Sequence, residues 1–364
     1  MNRNSSSPGP IGIVSTGSYL PELVVTNQTI AEGAGVTDEW IVRKTGIRER
    51  RRAAEHEATS DLAAAAALDA LEQAGLSPKD LSYIVVATST PDHPQPATSS
   101  IVQGLIGATD AAAFDINAVC SGFVYGLAVV ERLLRGDNQG RYGLVVGADI
   151  YSRILDYSDR KTSILFGDGA GAVVLGPVPS EQGVLETSLL TRGEQHRLIS
   201  VPAGGSRMPA SARTVEDGGH FFRMEGRGVR DFVQQNLPGA IHRLLEQAGV
   251  PAGSVKHFLP HQANGVMLAE VWPALGLDSA KLHLAVEHHG NTGSASVAIT
   301  LDQVHRSGQL AEDDLVVLSG FGGGMSVGSA LLRWAPTRFS APPQRGCALG
   351  ADDPRDTQGL LLAP

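Results

Sequence analysis

The pentapeptide Leu71–Gly75 (LEQAG) returns unchanged at Leu245–Gly249, 174 residues further along. A chain that repeats itself at such a distance builds one unit twice. The context repeats as well. Each copy closes an amphipathic helical pattern, is followed by a short loop containing Pro78 or Pro251, and leads into an apolar run, Tyr83–Ala87 or His257–Pro260. The same offset carries Cys120 onto Ser294, each followed by small residues compatible with a helix. Leu144–Val146 meets Leu315–Val317 at an offset of 171. Three landmarks in one order predict two copies of an alternating helix and strand unit. Alternation implies parallel pairing with helices on the sheet faces, hence a layered α/β structure with a pseudo-twofold axis.

The pattern places strands at Ile11–Val14, Tyr83–Thr88, Ala113–Asn117, Gly143–Ala148, Gly171–Leu175 and Asp314–Ser319. It places a helix at Leu62–Ala74, capped by Ser60 and Asp61 and stopped by Gly75. Two units suit the 364 residues at roughly 150 per domain, and the halves are set at 11–180 and 181–334. Residues 1–10 are read as a disordered N-terminal tail, and 335–364, with Pro336, Pro342, Pro343, Pro354 and Pro364, as a mobile C-terminal tail. Hydrophobic residues at 42% and charged residues at 18% exclude a mainly disordered chain. No apolar run reaches the roughly 18 residues of a membrane span. The apolar start at Ile11 is broken by Gly12, Gly17 and Pro21, so a cytoplasmic protein without a leader is expected. A net charge of −9 argues against general affinity for nucleic acid.

The two cysteines, Cys120 and Cys347, cannot form a disulfide framework. Cys120 stands where the apolar run of Phe114–Tyr125 (FDINAVCSGFVY) turns into a helical pattern that continues to Leu134. Free amides at a helix N-terminus favour thiolate, which suits a nucleophile, although a small buried apolar residue is the plainer alternative. Pro260–Asn264 (PHQAN) follows the second copy's strand, at the carboxyl end where open α/β sheets bind ligands. His288–Gly293 (HHGNTG) forms a polar loop before the Ser294 helix, and Gly320–Gly324 (GFGGG) follows the strand from Asp314. Successive glycines expose backbone N–H groups, as an oxyanion hole requires. His288 and His289 diverge and lack further ligands, so no metal is expected. Gly167–Gly171 (GDGAG) precedes a strand and not a helix, which does not meet a dinucleotide or Walker context.

Taken together, these segments resemble β-ketoacyl-acyl carrier protein synthase III, of the thiolase-like condensing enzymes, over about residues 11–334. The resemblance is carried by Asp38–Arg50 (DEWIVRKTGIRER), Asp115–Phe123 (DINAVCSGF), Phe166–Leu175 (FGDGAGAVVL), PHQAN, His289–Ser296 (HGNTGSAS) and Phe321–Trp334 (FGGGMSVGSALLRW). It implies an α/β, thiolase-like duplicated five-layer αβαβα fold with two mixed sheets, and a homodimer. It also implies Cys120 as acyl-accepting nucleophile, His261 and Asn291 as the other catalytic residues, and the N–H groups of Cys120 and Gly323 as oxyanion donors. Coenzyme A and its pantetheine would meet Trp40, Lys44, Arg160, Asn264 and Phe321, the first at the head of the basic run Arg43, Lys44, Arg48, Arg50, Arg51 and Arg52.

The reaction implied is decarboxylative Claisen condensation of an acyl-CoA with a malonyl thioester, starting fatty acid or polyketide synthesis. It uses no cofactor beyond the coenzyme A thioester substrate. Acyl transfer through Cys120 to a small-molecule hydroxyl or amine is the alternative, and a catalytically silent scaffold subunit a third; Asn291 favours condensation because simple acyl transfer forms no enolate. Two departures matter. Gly265–Pro273 carries no Lys or Arg and Asp231 stands where a lysine is frequent, so docking of an acidic carrier protein is in doubt and coenzyme A thioesters on both sides become an option. Gln95 stands where an aromatic residue shapes the acyl pocket of the dimer partner, which points to a polar or larger starter and a specialised priming enzyme.

Overall fold

The computed structural model describes residues 9–136 and 141–335. The two terminal tails expected at 1–10 and 335–364 lie outside the described residues, apart from Gly9, Pro10 and Ala335. Ten strands make two five-stranded sheets: β1 (Ile11–Tyr19), β2 (Leu81–Ala87), β3 (Ala112–Ile116), β4 (Tyr142–Asp149) and β5 (Gly169–Pro177), then β6 (Gly183–Thr191), β7 (Val255–Pro260), β8 (Lys281–Leu282), β9 (Leu315–Gly322) and β10 (Ser326–Arg333). The first sheet runs β1-β5-β4-β2-β3 and the second β6-β10-β9-β7-β8, the same order with every strand five places on. The helices repeat alike. Helices α1 (Thr59–Ala74), α2 (Thr98–Ile106) and α3 (Gly122–Gly136) correspond to α4 (Gly226–Ala248), α5 (Gly265–Val271) and α6 (Ser296–Arg306).

Sheet strands buried on both faces need apolar residues at odd and even positions alike, and here alternate residues serve different layers. Ile84, Val86, Leu144 and Val146 face out onto Leu62, Ala66, Ala70 and Leu71 of α1. Val85, Val145 and Val173 face in, onto Phe123, Leu127 and Val130 of α3 and Val297, Leu301 and Val304 of α6, which also receive Val316 and Leu318 from the second sheet. Val317, Phe258 and Leu331 face the opposite outer layer, formed by Phe232, Leu237, Ile241 and Leu244 of α4. Five layers result, α on β on α on β on α.

Both LEQAG copies end their helices through a left-handed glycine, Gly75 and Gly249, each at φ 65°. The N-terminal cap of α1 differs from expectation. Ala58 is the cap residue, and Asp61 accepts its N–H at 2.8 Å. Ser60 lies inside the first turn, where its N–H and hydroxyl both bind Asp92. The sheets are mixed. β4 and β5, and β9 and β10, pair antiparallel, because in each copy the chain returns along its neighbour. Among the described residues no helix is long and apolar enough to cross a membrane.

Candidate active site

Cys120 sits in a short 3₁₀ turn, Val119–Ser121, between β3 and α3. Val119 just before it has φ 48°, a strained value for a β-branched residue of the kind that concentrates at functional sites. The turn is braced by Ser121, whose hydroxyl bonds Ala118 O and Ser326 Oγ, both at 2.7 Å. His261 follows β7 directly, with its N–H donated to Ser319 O at 2.7 Å. Its ring meets Phe321 edge to face, centroids 5.2 Å apart, and its Nδ1 lies 2.7 Å from Ser296 Oγ. Ser296 Oγ already accepts from Gln262 N–H at 3.2 Å. The economical assignment has the serine donate to Nδ1, which puts the imidazole proton on Nε2. Asn291 is fixed by its backbone, N–H to Leu165 O at 2.8 Å and O from Gly167 N–H at 3.0 Å. Its Oδ1 accepts from Gly293 N–H at 2.9 Å, which leaves Nδ2 as the group available to a ligand.

Cys120, His261 and Asn291 all line one cavity of about 530 Å³. Burial alone lowers His261 to about 3, so its ring is neutral at neutral pH. Burial, reinforced by Asp149, pushes the Cys120 thiol well up. This corrects the expectation that the helix N-terminus holds Cys120 as thiolate: desolvation of the sulfur outweighs the partial charge of the helix end, and the resting group is a thiol. Gly322 is the glycine seated on the sulfur, where an added Cβ would lie 3.2 Å from Sγ and 2.8 Å from the Cys120 Cβ. Gly323 comes next, packed on Val119 and Ile199.

At the mouth stand Trp40, Arg43, Lys44, Arg160 and Lys161. The Arg160 guanidinium carbon lies 6.0 Å from the Trp40 ring centroid. Of the basic run, only Arg43 and Lys44 reach the cavity. Arg50 is buried against Asn27 Oδ1 and Ile164 O, Arg51 donates to Pro21 O, Arg52 bonds the Tyr157 hydroxyl, and Arg48 pairs with Glu287. Four of those six cations are therefore spent on the fold. Asn264 lines the cavity, but its carboxamide is already used: Oδ1 caps α5 through Met267 N–H and Nδ2 donates to Lys44 O. Phe321 is a buried wall beside His261. Gln95 is exposed in the loop before α2 and is not among the residues lining this cavity. His288 pairs with Glu49 while His289 bonds Gln303, so the two rings diverge. Asp168 of the GDGAG segment accepts from Ala53 N–H and from Ser152 N–H and hydroxyl, a brace for β5.

Sequence reasoning missed Ser296, Gly322 and a further wall of the cavity formed by Tyr151, Phe166 and Phe222. Tyr151 stacks on Phe166 at 4.3 Å, and Phe222 meets both rings edge to face. The aromatics fall in separate segments of the chain with no shared spacing. Gly322 stood inside the glycine string, Ser296 at the end of HGNTGSAS and Phe166 at the start of FGDGAGAVVL, but none was singled out for a role, and Tyr151 and Phe222 lay in no flagged segment.

Two matched sheets around paired central helices, with a buried thiol, a neutral imidazole and a carboxamide on one cavity, define the thiolase-like class of acyl-handling α/β proteins. Comparison narrows the class. The model for 3-oxoacyl-[acyl-carrier-protein (ACP)] synthase III matches residues 114–193, and that for its C-terminal part matches 245–334. The chain is 53% identical over 324 residues, 88% of its length and 98% of the relative's, to acetoacetyl CoA synthase NphT7 of Streptomyces sp. (strain CL190). It is 43% identical to β-ketoacyl-[acyl-carrier-protein] synthase III of Caldanaerobacter subterraneus subsp. tengcongensis, over 89% of this chain and 98% of that one. The crystal structure of 3-oxoacyl-(acyl carrier protein) synthase III, FabH, from Pseudomonas aeruginosa PAO1 superposes with a TM-score of 0.82 at 37% identity, covering 90% of this chain and 99% of that one. The chain belongs to the 3-oxoacyl-[acyl-carrier-protein] synthase III family.

Proposed function

We infer that this chain condenses an acyl-CoA with a malonyl thioester, with loss of CO₂. The observation that carries the reading is the convergence of Cys120, His261 and Asn291 on one cavity. In the first step the Cys120 sulfur attacks the acyl carbonyl, a C–S bond forms, the bond to the coenzyme A sulfur breaks, and the thiol proton ends on the departing coenzyme A thiolate. Neutral His261 is the base at hand in its other tautomer. With the hydrogen on Nδ1 and donated to Ser296 Oγ, Nε2 is free to take the thiol proton and pass it to the coenzyme A thiolate, and the ring returns to the Nε2–H form before the second step. The backbone N–H groups of Cys120 and Gly323 would stabilise the tetrahedral oxyanion. In the second step malonyl loses CO₂, and the enolate oxygen is held by His261 Nε2–H and the Asn291 NH₂. The enolate carbon attacks the acyl group on sulfur, which leaves as thiolate and regains a proton.

Trp40 and Arg160 supply a flat face and a cation for an adenine, and Arg43 and Lys44 supply charge for phosphates. We propose that the malonyl group also arrives on coenzyme A. Exposed Glu270 on α5 is paired with Arg230 at 2.7 Å, and the rest of α5 carries no cation for an acidic carrier. In a Claisen condensation the enolate's carrier stays on the product, so the relative named for acetoacetyl CoA takes its extender on coenzyme A. The rings of Tyr151, Phe166 and Phe222, which line the cavity together with Cys120, support a short starter, whereas Gln95 alone pointed to a polar or larger one. Gln95 can act on an acyl pocket only in a neighbouring copy, so its assignment goes with the proposed homodimer. We place the enzyme in the cytoplasm, with halves 11–180 and 181–334, initiating fatty acid or polyketide chains.

The test is to incubate the chain with acetyl-CoA and carboxyl-labelled malonyl-CoA, then with a malonyl-loaded carrier. Equal yields of labelled CO₂ and 3-oxoacyl-CoA, abolished by Cys120→Ala, are expected. Turnover of the carrier-bound malonyl group alone would overturn the coenzyme A assignment. Acyl transfer to an added amine or alcohol without CO₂ would overturn the condensation.

A further inference from the structure

Gln262, next to His261 in the chain, is buried, and its carboxamide makes four hydrogen bonds. Nε2 donates to Pro260 O at 2.8 Å and to His283 O at 3.1 Å. Oε1 accepts from the N–H groups of Ala285 at 2.8 Å and Val286 at 3.2 Å. Two carbonyls on one side and two N–H groups on the other fix the orientation of the amide and use all of its capacity. The short helical turn Val286–His289 starts at Ala285, whose side chain cannot cap it. Gln262 supplies that cap from another segment. The turn ends at Gly290, whose φ of 64° and N–H bond to Val286 O lead the chain into Asn291. The far end of the same loop is held as well, since Ser296 Oγ meets His261 Nδ1 at 2.7 Å and accepts from Gln262 N–H at 3.2 Å.

We propose that Gln262 is a positioning residue, one that sets the Asn291 amide at the separation from the His261 ring that a single enolate oxygen requires. The inference rests on the reading of those two groups as the enolate's donors. The backbone bonds of Asn291, to Leu165 and Gly167, refer it to the approach to β5 in the first sheet. His261 is referred to the second sheet, through Ser319 O of β9. Donors registered to different sheets need a link of their own, and the His261–Gln262 dipeptide holds both ends of the stretch that carries Asn291. Ser296 fixes the ring and the exit from the loop, and Gln262 fixes the entrance. Misplacement of a reacting or stabilising group by about 1 Å costs roughly 100-fold in rate. Decarboxylation calls on both donors at once, whereas acylation of Cys120 calls on His261 alone. Removal of the Gln262 side chain leaves the bonds of His261 to Ser319 and Ser296 in place, so the loss falls on the Asn291 side.

The test uses the full chain with Gln262→Ala and with Gln262→Asn, which keeps the carboxamide one methylene short. Labelled CO₂ released from malonyl-CoA by pre-acetylated enzyme reads decarboxylation, and intact mass reads acetylation of Cys120. Gln262→Ala is expected to slow CO₂ release about 100-fold and acetylation by less than about threefold, with Gln262→Asn between it and wild type in CO₂ release. In an Asn291→Ala chain, Gln262→Ala is expected to cost less than about threefold in CO₂ release, because the group it positions is gone. Equal losses in both steps, or the same cost with and without the Asn291 amide, would trace the effect to a general disturbance and overturn the proposal. Hydrogen exchange supplies a reading that needs no reaction. In Gln262→Ala the amides of Ala285 and Val286 are expected to exchange about tenfold faster, and unchanged exchange there would overturn the proposal by itself. A wild-type chain that releases no CO₂ would sink the proposed reaction and leave the exchange measurement standing, whereas a normal rate of release from Gln262→Ala would sink this inference alone.

Discussion

Replacing Asn291 by aspartate is expected to separate the two half-reactions. Asn291 Oδ1 accepts from Gly293 N–H at 2.9 Å, a bond that a carboxylate keeps, and the backbone bonds to Leu165 and Gly167 do not involve the side chain. The turn is therefore retained. The change falls on the second terminal atom, where a donor facing the cavity becomes an oxygen without hydrogen. Loss of one preorganised donor to a developing oxyanion costs about 2.7–4 kcal/mol, or 10²–10³ in rate. A carboxylate beside the enolate adds repulsion within a buried cavity, so a loss of roughly 1000-fold is expected in decarboxylation. Acylation of Cys120 forms no enolate and should change by less than about tenfold. Intact-mass detection of acetylated Cys120 reads the first step, and labelled CO₂ released from malonyl-CoA by pre-acetylated enzyme reads the second. Decarboxylation within tenfold of wild type, or equal losses in both steps, would refute the assignment of Asn291 as an enolate donor.

Gly322→Ala places a methyl 2.8 Å from the Cys120 Cβ and 3.1 Å from its N, so Cys120 must move. Overpacking of this kind costs about 1–3 kcal/mol, and a shift of about 1 Å at the reacting atom cuts acylation roughly 100-fold; a variant that acylates normally would refute the contact. Trp40→Ala should raise KM for acetyl-CoA about tenfold while leaving turnover of an acyl thioester that lacks adenine unchanged, since a stacking or cation–π contact is worth about 1–2 kcal/mol. Equal effects on both substrates would count against adenine stacking. His261 is held near 3 by burial, below its unfolded value of about 6.5. The unfolded chain thus takes up a proton first as pH falls, and the stability tied to the neutral ring, complete above about pH 6.5, is lost progressively toward pH 3. Between pH 7.5 and 5 the wild type should lose about 2 kcal/mol more than His261→Gln in urea unfolding. The difference isolates His261 from Asp149 and Asp168, whose burial raises their values and acts in the opposite sense; parallel losses would refute the shift.

The duplication was legible because LEQAG marks a helix end, and the stops of α1 and α4 depend on local chemistry that two copies of one unit share. Strand direction was not legible from the residue pattern, and mixed sheets were expected only through the family resemblance. Alternation of helix and strand suggests parallel pairing, yet β5 and β10 run antiparallel to their neighbours, and β10 lies in the FGGGMSVGSALLRW stretch that had been read for its glycines. Cys120, His261 and Asn291 stood out because each belongs to a short polar cluster next to an apolar run. Their partners did not. Ser296 is 35 residues from His261, and Asp149 is 60 from Ser89, separations at which spacing carries no information. The charge state of Cys120 failed for a related reason: a helix N-terminus is visible in sequence, whereas the desolvation that overrides it depends on the whole cavity. The basic run of Arg43–Arg52 misled in the same way, since a cation engaged with a backbone carbonyl reads the same in sequence as one facing a phosphate.

The two copies differ where the chemistry requires it. Cys120 and Ser294 hold equivalent turns ahead of α3 and α6, the central helices. Ser294 is fully buried, its Oγ 2.8 Å from Asp149 and 2.7 Å from Ala87 O, and it takes no part in the cavity. The offset of 171 that relates β4 to β9 carries Asp149 onto Gly320. An added Cβ there would lie 2.8 Å from Ser121 Cα and 3.0 Å from Cys120 O, so the strand backbone is pressed against the Cys120 turn. A carboxylate in that place would have no room, and its charge would further disfavour a thiolate. The acid stands instead beside the serine of the second copy, where it accepts from the N–H groups of Ser89 and Ser294. Equivalent positions thus carry a thiol on the cavity in one half and a buried, hydrogen-bonded hydroxyl in the other.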